Sequence, residues 1–346
     1  MLYAVPAQAQ AQDPLLFEAD KVLELTMPIR FDALCRPSTD PNCDYTPTVF
    51  QFVDASGNDR TVPISVRRRD GWRAQQTNCQ VPTLFVRFSG EDTQGTPFEG
   101  QTSLALTSHC GKGYLPANVP SRRLPDDFES YVITEYLGYR LYNLVTEYSL
   151  RARAVRINYA DPENPRRDFT HYAFFTEHFE SLARRHGAEL VNGEFDFASL
   201  DIGSTDQLAL FNFMVGNTDW SIEEQENILL LRRTDGSVVP VLYDLDMSGL
   251  VSAHYARPAP ELPIKTVRQR YYLGYCHDGN AWDELFTKFW DLHPEFMQTI
   301  ATMPFLNRGE RRRAGVYLET FFEILRSDRK RQAKIVDACR ALPGAD

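Results

Sequence analysis

The sequence predicts an α+β protein of two lobes, β-rich over its first half and mainly helical over its second. Three observations predict it. Between Lys21 and Thr107 the apolar segments are short, alternating and bounded by turn residues. After Pro263 apolar residues recur at helical spacing instead, most clearly from Glu310 to Leu325. At 346 residues, with 43% apolar and 24% charged side chains, the chain is long enough for two cores and too apolar to be disordered.

Met1 to Gln12 reads as the remnant of a signal peptide or as a disordered tail. Ala7-Gln8-Ala9 resembles a signal-peptidase site, but only Leu2 to Val5 precede it as an apolar stretch. Val22 to Met27 alternates as a strand. Thr48 to Val53 pairs with Thr61 to Val66 across Ser56-Gly57-Asn58, and Thr83 to Phe88 and Ser103 to Thr107 are further strands. Pro116 to Pro125 is a loop. The helix after it, Asp127 to Thr146, carries Val132, Ile133, Tyr136, Leu137 and Leu141 on one broad apolar face. A hairpin over Ala154 to Tyr159 and Thr170 to Phe175 turns at Asp161-Pro162, and a helix follows from Glu177 to Gly187. Ser204-Thr205-Asp206-Gln207 has the spacing of a capping box, before a stretch from Leu208 to Val215 that is apolar nearly all round and therefore buried. The expected division is a tail over 1–12, a β-rich lobe over 13–190 that includes helix 127–146 and hairpin 154–175, and a helical lobe over 191–346.

Composition excludes several functions. The net charge of 37 − 47 = −10 argues against a nucleic-acid partner, which needs clustered cations. No apolar run approaches the roughly 18 residues of a membrane span. There is no HExxH, GxSxG or Walker A motif, and the seven histidines are scattered. None of the six cysteines forms a CxxC pair, so an even count without metal spacing fits an oxidising compartment, periplasmic or secreted. The alternative is buried free thiols in the cytoplasm. At least one disulfide is expected, with Cys35 and Cys43 the first candidates because they bracket a Pro/Asp/Asn-rich loop.

The chemistry concentrates in the helical lobe, in loops 216–227 and 243–249. Gly216-Asn217-Thr218-Asp219 follows the buried helix. Asn227 precedes an apolar strand, Ile228 to Leu231, whose hairpin partner is Val238 to Leu242 across Asp235-Gly236, and Tyr243-Asp244-Leu245-Asp246 comes next. A protein-kinase catalytic lobe has this order: one Asp positions the nucleophile, while an Asn and a second Asp hold the magnesium that bridges ATP phosphates. Asp219, Asn227 and Asp244 are accordingly expected to lie together. Asn227 falls eight residues after Asp219, where eukaryotic kinases have five, so the loop is longer. Asp244 and Asp246 repel one another unless a cation lies between them.

The stretch from Leu208 to Ala256, with Gly216-Asn217-Thr218-Asp219-Trp220-Ser221, Glu226-Asn227 and Tyr243-Asp244-Leu245-Asp246-Met247-Ser248-Gly249, resembles a group of bacterial exported proteins. These are related to the CotH-type atypical protein kinases and, more remotely, to the HipA type. Gly95-Thr96-Pro97-Phe98-Glu99-Gly100-Gln101, Glu135 to Asn143 and Val267-Arg268-Gln269-Arg270 extend the resemblance over most of the chain. It implies a kinase-like two-lobed fold and transfer of the ATP γ-phosphate to a hydroxyl, in CotH-type members a protein serine. By position it implies Asp219 as catalytic residue, Asn227, Asp244 and Asp246 as magnesium ligands, and Glu135 as the helix glutamate that orients a phosphate-binding cation. Arg69-Asp70-Gly71-Trp72 lies where CotH-type proteins carry a short phosphate loop, which makes Arg69 and Gly71 nucleotide contacts. The sequence departs from the pattern at Ser103-Leu104-Ala105-Leu106-Thr107, where relatives carry lysine, and at Glu226, where they often carry His. Arg87 or Lys112 could supply the missing cation. The departure keeps open a nucleotide- or metal-binding pseudokinase that serves as a binding module, and an envelope structural or interaction protein.

Overall fold

The computed structural model describes residues 15–35, 44–69, 71, 73, 78–111, 128–276 and 281–344. The fold is mixed α+β. The chain divides into two compact units, Met1–Asp126 with Arg153–Thr176, and Asp127–Ala152 with Glu177–Asp346.

The first unit is built from strands with a two-residue burial period. They are β1 (Leu23–Pro28), β2 (Thr46–Val53), β3 (Asp59–Arg68), β4 (Leu84–Phe88), β5 (Ser103–Thr107), β6 (Ala152–Ala160) and β7 (Phe169–Thr176). On β2, Phe50 and Phe52 point inward while Gln51 and Val53 face out, so one face of the sheet must be covered. The β2–β3 turn is set locally: Gly57 takes φ +84, and the Asp54 carboxylate accepts the N–H groups of Ser56 and Asn58. The strands close into a barrel in the order β1-β2-β3-β4-β5-β7-β6. Its seam is a parallel pairing of β1 with β6, in register from Leu23↔Val155 to Pro28↔Ala160. Phe98, in the loop between β4 and β5, fills the interior against Phe50 at 5.4 Å and Phe175 at 6.1 Å between centroids. A closed seven-stranded barrel is not typical of a kinase N-terminal lobe, so the kinase-like expectation is met here only as a sheet-rich unit.

The second unit contains α1 (Phe128–Val145), α2 (Phe179–Arg185), β8 (Glu189–Val191), α3 (Ile202–Val215), β9 (Ile228–Arg232), β10 (Val238–Leu242), α4 (Ala281–Asp291), α5 (His293–Thr302), α6 (Arg308–Leu325) and α7 (Asp328–Arg331). The expected hairpin is present, with β9 and β10 in register from Ile228↔Leu242 to Arg232↔Val238. β8 adds a third strand to it. Helix α3 starts three residues earlier than the capping-box spacing places it, because the Asp201 carboxylate accepts the Ser204 N–H and caps the first turn. Asn307 and Glu310 form a reciprocal capping box on α6. By compactness α1 belongs with this unit and β6–β7 with the barrel, so the chain crosses between the units three times.

Two disulfides lie within the described residues, Cys79–Cys110 in the first unit and Cys276–Cys339 in the second. Cys35 is also disulfide-bonded, and Cys43 lies outside the described residues. Among the described residues no helix is long and apolar enough to cross a membrane.

Candidate functional site

Helix α3 is buried along nearly its whole length and ends at Gly216, whose φ of +67 stops it in the left-handed conformation. A chain of buried amides runs out of this end. Asn212 donates to the Leu208 carbonyl (3.1 Å), Asn217 donates to the Asn212 side chain (2.9 Å), and the Asn217 oxygen accepts the Asp219 N–H (3.1 Å). Asn212 and Asn217 are 0% and 1% exposed, so each amide must find its partners inside the protein, and this relay fixes where Asp219 emerges.

Asn227 enters from the other side. Its side-chain amide donates to the Asp219 carbonyl at 2.7 Å and to the Asp219 carboxylate at 3.0 Å. The Asn227 carbonyl accepts the Tyr243 N–H at 3.1 Å, which brings the start of the second acidic loop to the same place. Asn227 and Asp244 both take positive φ, +53 and +58. Asn and Asp tolerate this conformation better than most residues, and non-glycine residues held there cluster at functional sites.

Helix α1 holds the acidic loop along one stripe. The Tyr139 hydroxyl accepts the Asp244 N–H at 2.8 Å. Gly138 leaves room for Leu245: a Cβ there would lie 2.7 Å from its Cδ1. One helical turn before Tyr139 lies Glu135, 2% exposed, and another turn back lies Tyr131, whose hydroxyl accepts the His254 N–H at 3.3 Å. Phe128 stacks on Tyr255 (5.9 Å), and the Tyr255 hydroxyl donates to the Asp246 carboxylate at 2.9 Å. Positions 128, 131, 135, 138 and 139 share one helix face, so a single rigid element sets the path of both loop ends.

The two loops are also strapped together. The N–H of Gly249 donates to the Gly216 carbonyl (3.0 Å), and that of Leu250 to the Val215 carbonyl (2.9 Å). Behind them Arg270 stacks on Tyr317 at 4.0 Å and caps α3 by donating to the Met214 carbonyl at 3.0 Å. It also donates to the Thr320 hydroxyl and the Tyr317 carbonyl. Val267-Arg268-Gln269-Arg270 thus serves as scaffolding for the acidic loops.

The electrostatics follow from this crowding. Burial, and then the charges of Asp246, Glu226 and Asp244, push the Asp219 carboxyl up to about 6, against the opposing hydrogen bond from Asn227. Four carboxylates therefore share one neighbourhood, and a carboxyl that titrates near neutrality there can take a proton from a hydroxyl. Among the described residues no three His, Cys, Asp or Glu side chains form a ready-made metal cage. Magnesium does not require one, since it takes one or two carboxylates together with substrate phosphates and water.

Asp219, Asn227 and Asp244, expected together from the order of elements, lie in one neighbourhood, Asp246 lies there too, and Glu135 is on the helix stripe. The other three nucleotide-contact candidates lie in the first unit. Arg87 is exposed on β4 with its guanidinium 3.9 Å from the Tyr45 ring centroid, Arg69 lies 5.6 Å from that of Phe85, and Gly71 takes φ +99. Lys112, Asp70 and Trp72 lie outside the described residues. Sequence reasoning missed Tyr139, Tyr255 and the amide relay. The available signal was the pair of asparagines in and just past the apolar helix, Asn212 and Asn217, which are unsatisfied in an apolar setting unless they bond to one another or to the backbone.

No family model matches this sequence, and no curated protein matches it. Among solved structures, the Helicobacter pylori proinflammatory kinase CtkA aligns over 79% of this chain and 92% of its own, at 10% identity and a TM-score of 0.39. A likeness of that size decides neither fold nor activity.

Proposed function

We propose that this chain is an atypical, kinase-like phosphotransferase that moves the γ-phosphate of ATP to a hydroxyl, with a protein Ser or Thr as the acceptor class. The observation that carries the reading is the double grip of the Asn227 amide on Asp219, inside a cluster that also contains Asp244 and Asp246. Asp219 receives the acceptor hydroxyl and takes its proton, which its raised affinity for protons favours. The Asn217 relay and Asn227 keep its carboxylate in one orientation.

The donor set fits magnesium. Asp244, Asp246 and the amide oxygen of Asn227 are the hard oxygen ligands this ion prefers, and their mutual repulsion gives a divalent cation a favourable place to bind. When bound, magnesium would neutralise charge on the ATP phosphates. Tyr139 fixes the backbone of Asp244 for this task. Glu135, Arg69, Gly71 and Arg87 are proposed nucleotide contacts on the strength of the sequence resemblance alone. A second reading, a pseudokinase that binds nucleotide without transfer, is favoured by the absence of lysine from β5. The disulfides favour a periplasmic or secreted location.

Thermal-shift titration with ATP, with and without magnesium, tests binding, because a ligand bound only by the native state raises its stability. Incubation with labelled ATP and a panel of protein acceptors tests transfer. A chain that ATP and magnesium leave at the same melting temperature is not a phosphotransferase.

A further inference from the structure

Tyr255 occupies an unusual place for a phenol. Its hydroxyl donates to the Asp246 carboxylate at 2.9 Å, within the cluster of acids that surrounds Asp219. The ring does not reach there by chance packing. It is stacked on Phe128 at 5.9 Å, met edge-on by Tyr131 at 6.2 Å, and flanked by His254 at 5.3 Å. The loop that carries it is pinned in turn, by the His254 N–H on the Tyr131 hydroxyl and by Val251, Ala253 and Ala256 in a small core. Ser252, just before, takes φ +53, so the chain turns sharply to bring Tyr255 back toward Asp246. The phenol is thus a side chain of this protein held, hydroxyl first, on a carboxylate of the candidate transfer site.

We infer that Tyr255 is an internal phosphate acceptor: the chain phosphorylates its own Tyr255 hydroxyl in cis. The inference rests on the phosphotransferase reading above and names an acceptor for it. In the step, the phenolic oxygen attacks the γ-phosphorus of ATP. The bond from that phosphorus to the β,γ-bridging oxygen breaks, and ADP leaves with the electron pair. The phenolic proton passes to the Asp219 carboxylate, the base assigned above, while Asp246 holds the hydroxyl in place. The product carries a phosphate of charge about −1.5 to −2 beside Asp246, Asp244, Glu226 and Asp219, and like-charge repulsion expels it. Transfer therefore releases the 252–257 loop from the acidic cluster and opens the cluster to an acceptor from outside.

The test uses the full chain with ATP and magnesium, intact mass measurement and peptide mapping, over a range of protein concentrations. The expected result is one phosphate per chain on the peptide that contains Tyr255, at a first-order rate independent of protein concentration. Both Asp219→Asn and Tyr255→Phe should lose it, and melting without nucleotide checks that each variant is folded. If ATP and magnesium raise the melting temperature but phosphate appears on another residue, only on an added protein, or nowhere, the acceptor assignment is overturned. Nucleotide binding still stands in each of those cases, and transfer stands in the first two. A rate that rises with protein concentration overturns the cis step. If ATP and magnesium neither stabilise the chain nor yield ADP, the phosphotransferase reading fails and the acceptor assignment fails with it.

Discussion

Replacing Asp206 with Asn should make the protein more stable, by a margin that grows as pH rises from about 4 through about 7. Asp206 lies within α3, is 4% exposed, and burial pushes its carboxyl from 3.8 up to about 7. The native state therefore holds a proton that the unfolded chain has already released between those two values. Stability must fall as pH rises through that window, because the native state alone binds the proton there, and it levels off above the upper value. At roughly 1.4 kcal/mol per unit, a shift of about 3 units sets a ceiling near 4 kcal/mol. Local relaxation around the charged form should leave about 2 kcal/mol of it. The Asn side chain keeps the shape and a hydrogen-bonding oxygen but cannot ionise. Urea denaturation of wild type and Asp206→Asn across pH should show the variant ahead by about 2 kcal/mol near pH 8.5, with the gap closing to within about 0.5 kcal/mol near pH 4. The difference between the two proteins removes every other titrating group from the comparison. A gap that does not change with pH, or a variant that is the less stable protein at pH 8.5, would show that the charge of Asp206 is well compensated where it lies.

Asp244→Ala should abolish magnesium-dependent nucleotide binding, whereas Asp219→Ala should abolish transfer and largely spare binding, since one acts on the ground-state complex and the other in the transition state. Calorimetry with ATP and magnesium beside a transfer assay separates them, and identical behaviour of the two variants refutes the division of roles. Gly216→Ala should destabilise the second unit by more than about 2 kcal/mol, because φ is +67 and the new Cβ would collide with the Tyr317 hydroxyl. Tyr317→Phe in that background should restore part of the loss, a coupling that a double-mutant cycle reads directly. Loss of the Cys276–Cys339 bridge, whose sequence separation is 63, should remove about 2–4 kcal/mol, measured by melting Cys276→Ser/Cys339→Ser beside wild type.

Much of the fold is legible in the sequence because it is encoded locally. Ser103–Thr107 and Val238–Leu242 have the boundaries read from alternation and turn residues, and α1 ends one residue before its expected end. Closure of the barrel is not legible. It depends on the parallel pairing of β1 with β6, more than a hundred residues apart, which no local pattern records. The start of α3 was misplaced because two overlapping cap signals compete, and the Asp201 carboxylate captures the first turn. At the site, the proximity of Asp219, Asn227 and Asp244 followed from helix–loop–hairpin–loop order, since a hairpin returns its ends to one place. Tyr139 and Tyr255 were hidden because an aromatic on an apolar face reads as core until its hydroxyl is seen to have a partner.

The three crossings between the units constrain how the chain can be made. During synthesis, β1 to β5 emerge as an open sheet with two unpaired edges, at β1 and at β5. Those edges are closed only by β6 and β7, which arrive after the whole of α1, a helix that belongs to the other unit. Until residue 176 is available, the nascent chain exposes strand edges that can pair with a second molecule. The barrel therefore cannot be excised as one contiguous fragment without carrying α1 along. A truncation ending before β7 is expected to aggregate, where one ending just after it has every strand the barrel requires.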